Sequence, residues 1–419
     1  MRFLLLNQFY PPDVAPTGQY LHDLACSLVR RGHQVKVLCS RRSYNGTKTF
    51  PVHEELDGVE VVRLPATGFG RRGFLGKIAD YGSYYGFLFG ALMFGKEQPD
   101  VILSLTTPPY VGVLAKIAAT WRGCRHAHWI MDLYPDVMFA HGMTRGKGLF
   151  ARLLRSLTRW QFKGADRIFT LGPSMAERVS TYCDDRSTVS WIALWSNSEP
   201  LSWPEDEPNP FRAARGWAPD DVVFFYSGNM GLGHRFNEFL EAAKQSGNLK
   251  VRWAFAGDGK RRGEVEAFAK SNPTASIQFL DSVPYGQLRA HLCSANVHLA
   301  SMDSAWQGMM VPSKLQGSFS VGRPVLYVGG RQCETALWIQ ESGGGWVVDE
   351  NDVKGLLRAI EQACNPEERR RRGQAALEFA RGHFKKSASC GRFIELLEKG
   401  NGAERQKTEI LRPISAFLL

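Results

Sequence analysis

At 419 residues, the chain exceeds the ~250–300 residues over which a single hydrophobic core keeps growing, so two domains are expected. Its 44% apolar and 22% charged residues lie near globular averages and exclude collagen-like, disordered and coiled-coil chains. With 52 Lys and Arg against 41 Asp and Glu, the net charge is +11, a surplus that favours phosphates, whether of nucleotides, lipid headgroups or nucleic acid.

The first half alternates short apolar runs with helical patterns. Runs at Phe3–Leu6, Val35–Cys39, Val59–Leu64, Val101–Leu105, His126–Met131 and Arg167–Leu171 are interleaved with helices predicted at Thr17–Arg31, Phe74–Phe94, Tyr110–Trp121 and Leu149–Lys163. Such alternation predicts a parallel sheet wrapped by helices. Pro200, Pro204, Pro208, Pro210 and Pro219 then break any long element, placing a linker over residues 198–219 between a domain at 1–197 and one at 220–385. The second domain repeats the alternation from Val222–Tyr226 onward, with its last helices near Val353–Gln362 and Pro366–Phe384. Both halves read as Rossmann-like α/β domains.

The opening apolar run of four residues, Phe3–Leu6, is too short for a signal-peptide core, so no export signal is expected. Tyr81–Phe94 is broken by glycines and falls short of the ~20 residues that span a bilayer. Eight cysteines without a CxxC pair are too sparse for a disulfide scaffold and point to a reducing cytoplasm.

Ligands of open α/β sheets bind beyond the carboxyl ends of the strands. The loop after the first strand, Asn7 to Gln19, lacks the glycine fingerprint of a dinucleotide site. It reads either as a proline-stiffened entry to a helix capped by Thr17, or as a place where Gly18 lets a phosphate or sugar approach a helix N-terminus. In Gly228-Asn229-Met230-Gly231-Leu232-Gly233-His234-Arg235, Gly228 permits close backbone approach while Asn229 and Arg235 can donate to phosphate oxygens. The alternative is a glycine-rich turn with a solvated arginine. Gly257 to Gly263 offers a second, weaker basic loop. Ser313 can cap a helix whose amides face an anion, with Lys314 adding charge and Gln316 a further polar contact.

Asp132 closes its strand on the side where a cleft should open and is the candidate acid, base or sugar-hydroxyl acceptor. His126 and His128 share one strand face, which fits packing better than metal ligation, and no metal site is expected. The stretch from Arg145 to Lys163 has no acidic residue and reads as a basic amphipathic helix, with Arg152, Arg155 and Arg159 facing an anionic membrane; a core helix with a charged outer face reads as well.

Four groups in this order, Asn7-Gln8-Phe9-Tyr10-Pro11-Pro12 with Thr17-Gly18, Asp132-Leu133-Tyr134-Pro135-Asp136, Tyr226-Ser227-Gly228-Asn229-Met230-Gly231, and Val311-Pro312-Ser313-Lys314 followed by Gly322-Arg323-Pro324, resemble the retaining GT-B glycosyltransferases of family 4, in the branch building bacterial O-antigen and colanic acid. The resemblance covers nearly the whole chain. It implies two Rossmann-like domains facing a central cleft, an N-terminal acceptor side, a C-terminal donor side, and a last helix near Cys390–Leu397 crossing back, within a segment 386–419. It matches Gly18 and Arg235 to donor contacts; together with the residue reading above, the expected donor residues are Gly18, Gly228, Asn229, Arg235, Ser313, Lys314 and Gln316, and the expected catalytic residue is Asp132. The family's paired glutamates are replaced by Met309 and Gly317.

The resulting expectation is metal-independent, retaining transfer of a sugar from a UDP- or GDP-linked donor, which serves as co-substrate with no resident cofactor, to a lipid-linked or oligosaccharide acceptor. The setting expected is the cytoplasm, with the chain peripheral on the inner face of the cytoplasmic membrane. The rival readings are a GT-B-shaped nucleotide-sugar epimerase and a catalytically silent, membrane-associated saccharide-binding module. Nucleic acid is not an expected partner, because only charge and scattered aromatics favour it.

Overall fold

The computed structural model describes residues 1–400 except 14, 45, 70–73, 145, 197–202, 204–206, 248 and 282. Arg71, Arg72, Arg145, part of the linker and the tail beyond Gly400 lie outside the described residues, as do the side chains of Phe74 and Lys77.

The first half contains β1 (Arg2–Leu6), α1 (Pro16–Arg30), β2 (Gln34–Ser40), β3 (His53–Leu56), β4 (Val59–Leu64), α2 (Phe74–Phe94), β5 (Val101–Ser104), α3 (Val111–Arg122), β6 (Arg125–Trp129), α4 (Asp136–Ala140), α5 (Leu149–Phe162), β7 (Arg167–Thr170), α6 (Pro173–Ser180) and β8 (Val189–Trp191). Its strands form one sheet in the order β3-β4-β2-β1-β5-β6-β7-β8. Every pairing is parallel except β3 with β4. Leu4 and Leu6 pack on Tyr84, Leu88 and Ala115 on one face, and Phe3 and Leu5 on Leu21, Leu24 and Leu28 on the other. A strand covered on both faces is apolar throughout, and this is why these runs are legible as continuous hydrophobic segments.

The second half contains α7 (Pro210–Ala214), β9 (Val222–Ser227), α8 (Asn237–Gln245), β10 (Val251–Ala256), α9 (Arg262–Ser271), β11 (Ile277–Leu280), α10 (Leu288–Cys293), β12 (Val297–Met302), α11 (Lys314–Ser320), β13 (Val325–Gly329), α12 (Glu334–Ser342), β14 (Gly345–Val348), α13 (Val353–Cys364), α14 (Pro366–His383) and α15 (Lys386–Lys399). Its all-parallel sheet runs β11-β10-β9-β12-β13-β14. The order reverses at β9, so the loops leaving β9 and β12 flank a switch point where ligands bind in such sheets.

α15 returns to the first sheet, and it is longer than the Cys390–Leu397 expected. Phe393 stacks on Phe169 at 3.8 Å between ring centres and lies 4.8 Å from Trp129. Glu398 pairs with Arg31 and His33, and Lys386 with Asp23 on α1. Among the described residues, no helix is long and apolar enough to cross a membrane.

Candidate active site

The two sheets meet along a seam at the carboxyl ends of their strands. Just past β6, Asp132 forms an antiparallel bridge with Met310, and Leu133 N–H donates to Met309 O at 2.8 Å. Arg178 on α6 holds Asp136 at 2.6 Å and reaches Gln307 O, while Glu334 at the start of α12 accepts the Met175 N–H at 2.8 Å. The segment from Gln307 to Lys314 therefore runs along the first domain before entering α11.

On the N-terminal wall, the Oγ1 of Thr106 accepts the backbone N–H groups of Met131 and Asp132 at 3.3 and 3.2 Å, fixing the turn that presents Asp132. The Asp132 carboxylate makes no hydrogen bond or ion pair among the described residues, and burial raises its pKa from 3.8 to about 6. A small cavity beneath it is lined by Thr106, Tyr110, His128 and Tyr134. His128 belongs to the scaffold, since its ring nitrogens meet Ser104 Oγ at 2.8 Å and Gln161 O at 3.1 Å.

On the C-terminal wall Lys314 stands between Tyr226 and His234. Its Nζ lies 4.7 Å from the centre of the Tyr226 ring and 3.2 Å from His234 Nε2. His234 Nδ1 contacts Ser301 O at 2.6 Å, and burial together with the Lys314 ammonium depresses its pKa to about 3. The ring is thus neutral, donating from Nδ1 and accepting at Nε2. Lys314 has no carboxylate partner among the described residues, and burial lowers its pKa from 10.5 to about 7. Gly228, at φ +134, lies directly under the lysine stem: a Cβ there would sit 3.0 Å from Lys314 Cε. Gly228 and Lys314, widely separated in sequence, are thereby brought together, and exposed Asn229 sits on the same loop.

The other expected site residues take different roles. At Gly18 the absent side chain makes room for the chain itself, since a Cβ there would lie 2.7 Å from the Phe9 carbonyl oxygen. Thr17 does not cap α1. The cap position is Ala15, Pro16 is the first helical residue, and Thr17 Oγ1 instead accepts from Asn7 Nδ2 at 3.3 Å.

Arg235 precedes α8 and is held by carboxylates. Its guanidinium binds Glu238 at 2.5 Å, Asn351 at 2.9 Å and Asp303 at 3.5 Å, with Glu350 at 3.7 Å. Ser313 occupies the N-cap of α11 but its side chain makes no capping bond. Gln316 is 1% exposed, with neither amide atom hydrogen-bonded, and it faces the interior.

On α5, Arg155 turns inward to Gly146 O at 3.0 Å and over the Phe139 ring, and Arg159 lies over Tyr182. Arg152 remains exposed. The outward face of α5 is mixed: Leu149 is 84%, Phe150 56% and Leu153 62% exposed, beside exposed Arg152, Ser156 and Arg159.

Residues 17–195 match the glycosyl transferase 4-like domain. The chain has the GT-B fold, with a glycosyl transferase 4-like domain over its first half. It is 26% identical over 282 residues to the probable glycosyltransferase WbjE of Pseudomonas aeruginosa, covering 67% of this chain and 70% of that one. It is 23% identical to the putative colanic acid biosynthesis glycosyl transferase WcaI of Escherichia coli K12, covering 87% and 92%. In structure it resembles Anabaena HepE, solved with UDP and glucose, with a TM-score of 0.70 at 13% identity over 95% and 100% of the two chains. Tyr226, His234, Thr106 and Tyr134 were not singled out from the sequence, although all but Thr106 lie in or beside the motifs quoted above; nothing in a single sequence marks Thr106.

Proposed function

We propose that this glycosyltransferase moves a sugar from a UDP- or GDP-linked donor, with retention and without a catalytic metal, to a lipid-linked saccharide in surface-polysaccharide synthesis. The observation that carries the reading is Lys314, a half-buried cation with no carboxylate partner among the described residues, set against Gly228 at the switch point of the second sheet. A departing nucleoside diphosphate needs its charge offset, and a preorganised cation in a water-poor site does this at little reorganisation cost. Asp132 lies across the seam, four residues of chain from Lys314 by way of its bridge to Met310. There it orients an acceptor hydroxyl or a donor sugar hydroxyl. HepE, of the same fold, was solved with UDP and glucose, and WcaI carries the colanic acid assignment; both agree with a nucleotide-sugar donor and a surface-polysaccharide product.

The acceptor lipid would be met on the first domain, where Leu149, Phe150 and Leu153 project outward beside Arg152. No carboxylate occurs between Asp136 and Asp166, a pattern suited to an anionic interface.

The test is product analysis with UDP- and GDP-sugars, with and without a bacterial lipid extract. Glycosylated lipid formed without added Mg²⁺ supports the proposal. A new donor sugar made without acceptor would instead establish an epimerase, and saccharide binding without any product would establish a binding module.

A further inference from the structure

Behind the cleft, three side chains of metal-binding type converge where nothing in sugar transfer needs them. His22 and Cys26 are four residues apart on α1 and so share a helix face. Asp57 comes from the two-residue turn between β3 and β4, in which Asp57 (φ 51) and Gly58 (φ 78) both adopt left-handed conformations. That is the geometry of a tight hairpin turn, and it aims the Asp57 carboxylate back at α1. His22 Nε2 lies 3.0 Å from Asp57 Oδ2, and Cys26 Sγ lies 3.5 Å from His22 Nε2. All three donor atoms fall within 4.8 Å of one another.

We propose that His22, Cys26 and Asp57 form a structural site for a thiophilic divalent cation of the zinc type, pinning the edge hairpin β3–β4 to α1. Ligands at the roughly 2.0–2.3 Å bond lengths of tetrahedral zinc are separated from one another by about 3.3–3.8 Å, so the 3.5 Å between Cys26 and His22 fits and His22 and Asp57, at 3.0 Å, need to part by only a few tenths of an ångström. Because Cys26 Sγ is also 3.7 Å from His22 Nδ1, a rotation about its Cα–Cβ bond is needed to swing it onto the Nε2 side. A nitrogen, a thiolate and a carboxylate form a mixed donor set that favours zinc over magnesium or calcium, and the two negative charges cancel the dication.

The outer environment fits as well. Tyr10 OH contacts His22 Nδ1 at 2.9 Å, an outer-shell hydrogen bond of the kind that fixes a ligating imidazole. The Asp57 side chain is 74% exposed, leaving an entry path and a fourth position for water. Among the described residues β3 is the outermost strand of its sheet and pairs only with β4. Tying its turn to α1 would protect the edge most prone to open.

The site is tested by titrating Co²⁺, as a spectroscopic stand-in for Zn²⁺, into the metal-free full-length chain. Expected are one equivalent bound, a thiolate-to-cobalt charge-transfer absorption that Cys26→Ser abolishes, and a rise in Tm with Zn²⁺ that Asp57→Asn removes. Asp57 lies on an exposed turn, so that variant is expected to fold even if Cys26→Ser does not. Absence of the charge-transfer band in the native chain, its persistence in Cys26→Ser, or an undiminished Zn²⁺ shift in Asp57→Asn would each overturn the proposal.

Discussion

The two walls of the cleft present opposite versions of one device. The N-terminal wall offers a half-buried carboxylate, Asp132, whose pKa burial raises to about 6; the C-terminal wall offers a half-buried ammonium, Lys314, whose pKa burial lowers to about 7. Neither is paired with an opposite charge among the described residues, whereas Arg235, a short distance along the same wall, is surrounded by Glu238, Asp303 and Glu350. A buried charge without a partner costs folding free energy. Charges left unpaired at that cost are candidates for completion by a ligand, whereas Arg235 already has its partners.

The largest effect expected from disturbing this comparison is at Asp132. Asp132→Asn keeps the shape and removes the ionisable group, and turnover should fall roughly 10²–10⁴-fold while nucleotide binding, followed by thermal shift, is retained. Equal loss of both would mean that Asp132 only holds the seam together. Next comes Arg235→Ala, which strands Glu238, only 2% exposed. Breaking a buried pair costs about 3 kcal/mol or somewhat more, so Tm should drop clearly while donor affinity per folded molecule changes less than in Lys314→Met. The reverse ranking would return Arg235 to the donor site.

Lys314→Met should lower kcat/KM for the donor about 10–100-fold, the range of one charge-assisted contact. pH sharpens the comparison further. Free Lys314 loses its proton near pH 7, and a bound diphosphate would hold that proton on, so donor affinity should weaken as pH rises through 7. In the absence of ligand the signs for stability are opposite on the two walls. Ionised Asp132 is a penalty that appears as pH rises from about 4 to 6, so Asp132→Asn should gain Tm above pH 6 and little below pH 4. Protonated Lys314 is a penalty that fades as pH rises from about 7 toward 10.5, so the Lys314→Met gain should be greatest below pH 7. Melting curves across that range read both.

How far the sequence could carry these conclusions differs by level. The parallel strands were legible because burial on both faces makes them apolar throughout. β3 was not, since His53-Glu54-Glu55-Leu56 carries the charges that protect an edge strand. Lys314 and Asp132 stand out in the sequence as residue types near strand ends, but a linear pattern cannot show what sits beside a group in space. It could not reveal that the Phe9 carbonyl fills the space over Gly18, that three carboxylates encircle Arg235, or that Met310 pairs with Asp132 across two domains.

The smallest expected effect concerns the outer side of the Asp132 wall, where membrane docking would separate an acceptor wall that touches lipid from a donor wall that does not. Six basic residues between Arg145 and Lys163 looked equivalent in sequence, yet Arg155 is bound inward to Gly146 O and the Phe139 ring while Arg152 is exposed beside Leu149 and Leu153. A basic side chain near an anionic surface contributes ~1 kcal/mol. Arg152→Ala should therefore weaken sedimentation with phosphatidylglycerol-containing vesicles about fivefold, with Arg155→Ala nearly without effect and Leu153→Ser weakening binding even to neutral vesicles. Equal effects of the two arginine variants would mean that net charge, rather than this face, draws the chain to lipid, and the acceptor wall would lose its claim to the membrane side.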